Sequence, residues 1–77
     1  MMTMRATVLS TQRGRLLVFD QAMLQRVIVH ARNACHFCVG DHVCIRYSGA
    51  MTMSIPPQIT AISISRIPRF GPRRHLC

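Results

Sequence analysis

Acidic residues and lysine are nearly absent from this chain. Of its 77 residues ten are arginine, none is lysine, and two are acidic, Asp20 and Asp41, so the formal net charge is +8. Acid–base catalysis needs a side chain and its partner within hydrogen-bond reach, and two carboxylates allow few such pairs. We therefore expect no enzymatic activity. The charge balance favours anionic partners such as nucleic acid, anionic lipid or acidic polymers, although GC-rich coding would also explain an excess of arginine.

Long apolar segments are missing as well. The longest, residues 16–29, is interrupted by four polar or charged side chains and falls short of the roughly 20 residues that cross a membrane. Residues 1–10 contain no apolar core of the kind that a secretory signal needs. We therefore expect a cytoplasmic protein without a transmembrane segment. A cationic effector, released by a route without a readable signal and acting on other cells or anionic membrane surfaces, is a further alternative.

Aromatic side chains are few, and tryptophan is absent. Proteins that bind single-stranded nucleic acid combine a basic groove with aromatic platforms on which bases stack. We expect Phe19 and Phe37 in the core and Tyr47 half exposed, so the chain has the charge but lacks the platforms. Non-specific nucleic-acid binding is the alternative function, and the arginines that would contact phosphates are Arg46, Arg66, Arg69, Arg73 and Arg74.

Strand periodicity is what the sequence does contain. After the Gly40-Asp41 turn, apolar and polar residues alternate from His42 to Tyr47, which is typical of a half-buried strand. Pro57 cannot donate to a sheet ladder, so the next strand begins at residue 58, with Ile62 and Ile64 on one face. The predicted strands are residues 4–10, 15–20, 25–31, 42–47 and 58–67.

Five short strands without a long helix predict one all-β domain over residues 1–67. The expected architecture is a small five-stranded antiparallel barrel, OB-like or SH3-like, followed by a flexible Arg-rich tail at residues 68–77. A domain this small buries about 60% of its unfolded surface. Its core is therefore too small for a large cofactor, and none is expected.

A resemblance adds to this interpretation. The series Val-Gly-Asp-x-Val-x-Ile-x-Tyr-x-Gly-Ala at residues 39–50, followed by Pro-Gln-Ile-x-Ala at residues 57–61, resembles a group of small OB-like barrel domains from Gram-positive bacteria. The resemblance covers roughly residues 4–67 and is most specific over residues 39–62. It implies a barrel fold in a bacterial protein, and since that group has no established activity it implies little about function.

The loop at residues 48–57 is the predicted interaction surface. Methionine side chains are flexible and polarizable, which suits contacts with an apolar partner. We expect a non-enzymatic interaction module that binds a protein or peptide through this loop and the adjacent barrel face. The alternative is that the loop folds over the barrel end and buries its side chains. The residues predicted to contact the partner are Met51, Met53, Ile55 and Tyr47.

A Cys-x-x-Cys pair is the one metal-like spacing in the chain. Cys35 and Cys38 could share a structural zinc ion that His42 or Cys44 completes. A redox-active pair is a second interpretation. However, a zinc ribbon has a second such pair, and isolated thiols in small apolar domains are more often buried hydrophobes.

Overall fold

The computed structural model describes residues 1–67, and the predictions for residues 68–77, including those for Arg69, Arg73 and Arg74, lie outside them. Alternating apolar residues form the five strands, and a short 3-10 helix at Ala34–His36 connects the third to the fourth. The strands are β1 (Met2–Gln12), β2 (Arg15–Asp20), β3 (Gln25–His30), β4 (His42–Tyr47) and β5 (Gln58–Arg66).

The strands close into a barrel in the order β1-β2-β3-β5-β4, with β4 pairing back onto β1. Four pairings are antiparallel, and the pairing of β3 with β5 is parallel. The predicted all-β, five-stranded barrel is thus confirmed. The parallel pairing is a finding that alternation along single strands does not reveal, because either strand direction gives the same period of two.

The core lies inside the barrel, where each strand contributes every second side chain. On β2, Leu16 and Val18 are fully buried, whereas Leu17 and Phe19 are partly exposed on the outer face. Phe19 is therefore not the core residue that the sequence indicated. Phe37 is buried as expected, although it comes from the connection between β3 and β4. The resulting core is small and mostly aliphatic, consistent with a chain of this length.

A β-bulge changes the face of β5. Arg46 pairs with Ser63 and Tyr47 pairs with Ala61, which leaves Ile62 without an opposite residue on β4. The extra residue breaks the alternation, so Ile64 is buried while Ile62 is 59% exposed. The prediction that both isoleucines share a face is wrong for this reason.

The turns use side chains and backbone conformations that their residue types favour. In the β2–β3 turn, Asp20 Oδ1 accepts hydrogen bonds from Ala22 N at 2.9 Å and Met23 N at 3.3 Å. Gly40 has a φ of +94° in the turn before β4, a conformation that glycine adopts without steric cost. No helix among residues 1–67 is long and apolar enough to cross a membrane.

Candidate ligand groove

A groove of about 920 Å³ lies between the 48–57 loop and the outer face of β2 and β3. One wall comes from the loop that the sequence singled out, and the floor comes from strands roughly thirty residues earlier in the chain. The lining residues are Ser10, Gln12, Arg15, Leu16, Leu17, Gln25, Arg26, Ile28 and the loop residues 51–57. Closure of the barrel therefore builds a concave surface beside the predicted loop, with β2 and β3 as the adjacent barrel face.

The loop wall is held in shape by its own polar groups. Thr52 N donates to Gln58 O at 3.0 Å, and Gln58 N donates to Thr52 Oγ1 at 3.0 Å, so the two ends of the loop tip are joined. Ser54 Oγ lies 2.6 Å from Thr52 Oγ1 and donates to Pro56 O at 2.9 Å. The polar side chains are thus engaged within the loop.

Apolar side chains project from the same loop. Met53 and Ile55 are each 98% exposed, whereas Met51 is partly buried and packs against the core. The predicted contact residues therefore differ in exposure. Met51 covers part of the barrel, whereas Met53 and Ile55 point into solvent. Tyr47 is 7% exposed and belongs to the core, so its predicted role at the contact surface is wrong.

The groove floor has a regular chemical pattern that follows from strand register. On the outer face, Arg15 lies opposite His30 and Leu17 lies opposite Ile28. Farther along, Phe19 lies opposite Arg26. Both arginines are exposed and line the groove. An apolar centre is thus flanked along the strands by two cationic positions.

Both acidic side chains are withdrawn from the surface, Asp20 at 4% exposure and Asp41 at 2%. Asp41 Oδ2 accepts from Cys38 N at 2.8 Å and forms an ion pair with Arg66 Nη2 at 3.0 Å. Arg66 also lies 5.5 Å from the centre of the Phe37 ring. The surface of residues 1–67 therefore presents arginine without a competing side-chain carboxylate.

The arginines predicted to contact phosphates do not act as one group. Arg66 Nη2 also donates to His36 O at 2.8 Å, so this guanidinium is committed to the fold through Asp41, Phe37 and His36. Arg46 is exposed on β4 and does not line the groove. The cationic residues that line the groove, Arg15 and Arg26, were not singled out from the sequence, because their approach to the 48–57 loop depends on the barrel closing.

The candidate zinc ligands are spread over the 3-10 helix, the loop before β4 and β4 itself. Cys35 carries a free, exposed thiol in the 3-10 helix, and Cys44 carries a free thiol on β4. His42 Nδ1 lies 3.0 Å from Thr7 Oγ1, and Cys38 lies in the loop before β4. Within residues 1–67, no three His, Cys, Asp or Glu side chains are grouped so that they could hold a metal ion.

No protein-family model, no curated protein and no solved structure matches this chain.

Proposed function

We propose that this protein is a small non-enzymatic interaction module that binds a segment of a protein or peptide in the groove. The observation that carries the proposal is the pair Met53 and Ile55, each 98% exposed beside a concave surface of about 920 Å³. Exposed apolar side chains that cluster at a cleft mark interaction sites. The hydrogen bonds within the loop support the proposal, since a wall that is already ordered loses little conformational freedom on binding.

The strand order supports the same location. Around the barrel the strands follow the order β4-β1-β2-β3, which is that of a Greek key and is the order expected of the OB-like barrel that we propose. In OB-type barrels the face of β2 and β3 and the loops β1–β2 and β4–β5 bind oligonucleotides and oligosaccharides, so the likeness supports the location of the site and not its peptide ligand. The groove described above lies on that face and beside that β4–β5 loop.

Two double variants of matched composition test the proposal. M53S/I55S removes the apolar side chains at the groove, whereas M23S/I62S removes one methionine and one isoleucine that are 68% and 59% exposed elsewhere. Immobilised protein is exposed to nuclease-treated extract of its native source. A partner should be retained by the wild type and M23S/I62S and lost from M53S/I55S. Equal retention by both variants would refute the proposal.

Single-stranded nucleic acid is the second candidate, because the described surface is cationic and presents no side-chain carboxylate. Against it, Tyr47 and Phe37 are buried and unavailable for stacking, and among residues 1–67 this leaves Phe19 on the outer face of the barrel. Binding led by phosphates must weaken steeply as salt rises. Titrating a labelled oligothymidylate at low and physiological salt tests this, and an affinity that does not change with salt would rule it out.

A further inference from the structure

The order of side chains along the groove floor limits the chemistry of its ligand. Phe19 lies four residues after Arg15 on β2, and Arg26 of β3 lies opposite Phe19. The two arginines are therefore about 13 Å apart along the strand direction, at the usual rise of an extended strand. Leu17 and Ile28 lie opposite each other between the two arginines. The floor thus presents a cation, an apolar pair and a second cation in succession.

A ligand in an extended conformation has the same rise per residue as the strands beneath it. Two of its side chains separated by four residues would therefore match the two arginines, and the side chain midway between them would face Leu17 and Ile28. All three lie on one face of an extended chain, because alternate residues point the same way. The matching pattern is an acidic residue, an apolar residue two positions later and an acidic residue two positions after that.

The arginines are available for such a ligand. Within residues 1–67 neither Arg15 nor Arg26 has an acidic partner, because Asp20 binds the backbone of its own turn and Asp41 is paired with Arg66. Arg15 Nε donates to Gln12 Oε1 at 2.7 Å, a contact that positions the guanidinium while engaging one of its nitrogens. Guanidinium groups bind carboxylates through paired hydrogen bonds.

The wall of the groove completes the match. Met53 and Ile55 project beside the floor from a loop whose hydrogen bonds hold it in place. They would cover the apolar residue of the ligand, whereas a nucleotide base would find, among residues 1–67, one aromatic ring, Phe19, beside this floor. Aliphatic and thioether side chains between two arginines fit an acidic–apolar peptide better than they fit stacked bases.

We infer that the groove takes an extended peptide segment with two carboxylate side chains four residues apart and an apolar side chain midway between them. The carboxylates pair with Arg15 and Arg26, and the apolar side chain packs on Leu17 and Ile28 under Met53 and Ile55. This inference rests on the proposed function, whose groove it uses.

Fluorescence anisotropy with defined peptides tests the inference. The probe is a short labelled peptide with glutamate, leucine and glutamate at the required spacing in a Gly/Ser background, and its counterparts replace both glutamates by glutamine or the leucine by serine. A labelled oligothymidylate serves as the nucleic-acid arm. The protein variants are R15Q/R26Q in the groove and R5Q/R46Q as the control with the same loss of charge on β1 and β4.

The acidic peptide should bind the wild type about tenfold more tightly than the glutamine peptide does, as expected for two partly exposed ion pairs. R15Q/R26Q should abolish that difference, and R5Q/R46Q should preserve it with a change of less than about twofold. Both variants remove exposed charges and should fold, which matching circular dichroism and thermal unfolding would verify.

Failure of this inference is distinguishable from failure of the proposed function. If the acidic and neutral peptides bind equally, if the acidic peptide does not bind, or if R15Q/R26Q behaves like R5Q/R46Q, the assigned ligand chemistry is wrong. The proposed function still stands in those cases if M53S/I55S loses the partner that M23S/I62S retains. Binding of the oligothymidylate alone, with loss in R15Q/R26Q, would assign the groove to nucleic acid and overturn both.

Discussion

The two loops at opposite ends of β4 contribute to the fold in opposite ways. Before β4, the 31–41 connection buries a carboxylate, Asp41, and an aromatic ring, Phe37, and ties both to Arg66. After β4, the 48–57 loop satisfies its polar groups internally and leaves Met53 and Ile55 in solvent. One loop therefore commits its carboxylate to the fold, and the other exposes apolar side chains that do not pack against the core.

This difference distinguishes a residue that stabilises the fold, Asp41, from the residues that we propose contact a ligand, Met53 and Ile55. A buried ion pair whose partner is lost costs several kcal/mol, so Asp41 is explained by the stability of the barrel. An exposed methionine and isoleucine add little to stability, so stability does not explain Met53 and Ile55, whereas the ligand that we propose for the adjacent groove would.

The largest effect is expected at the loop before β4. Asp41→Asn removes the charge that pairs with Arg66 while keeping an oxygen that can accept from Cys38 N. Because Arg66 is 38% exposed and can be hydrated, we expect a loss of about 2–3 kcal/mol, below the full cost for a completely buried pair. Urea unfolding measures it, with Arg46→Gln as a surface control. A loss under about 0.5 kcal/mol would show that Asp41 does not hold this end together.

The two methionines of the loop after β4 should differ by a smaller amount in their contribution to the free energy of unfolding. Met51→Ala removes a side chain that packs against the core and should cost about 1 kcal/mol, whereas Met53→Ala should cost less than about 0.5 kcal/mol. The same unfolding experiment compares them directly. Equal losses would mean that the loop tip packs on the barrel and that the contrast between the two loops is false.

Much of the fold could be predicted from the sequence, because alternation depends on each strand alone. The bounds of β2 and β4 were predicted as found, and β5 was predicted one residue too long. The bulge at Ile62 was missed, since it depends on the register between β5 and β4. Phe19 was placed in the core because a continuous apolar run does not indicate which side chains point outward.

The candidate site was also predicted only in part, because the sequence indicates local segments and not the pairing between distant ones. Composition indicated the 48–57 loop, where two methionines precede two prolines, but not the floor formed by β2 and β3. Arg15 and Arg26 reach the groove through strand pairings and loop closure between distant parts of the chain. Arg66 was chosen for its charge, and its commitment to Asp41 could not be known without the fold.

Chemical oxidation compares the solvent access of Met51 and Met53 in the same loop without any substitution. With dilute hydrogen peroxide, Met53 should be converted to its sulfoxide several-fold faster than the partly buried Met51, since oxidation follows solvent access. Peptide mass spectrometry over a time course measures both rates in one sample, and Met23, 68% exposed, serves as the internal reference. Slow oxidation of Met53 relative to Met23 would show that the loop tip is covered.

Site-specific photo-crosslinking tests the central claim most directly. A photoreactive amino acid replaces Met53 in one variant and Met23 in another, two exposed methionines of which the first lines the groove and the second does not. Both proteins are irradiated in nuclease-treated extract of the native source. We predict that a protein partner crosslinks to position 53 and not to position 23. Crosslinking at position 23 alone, or equally at both positions, would contradict the assignment of the groove as the binding site.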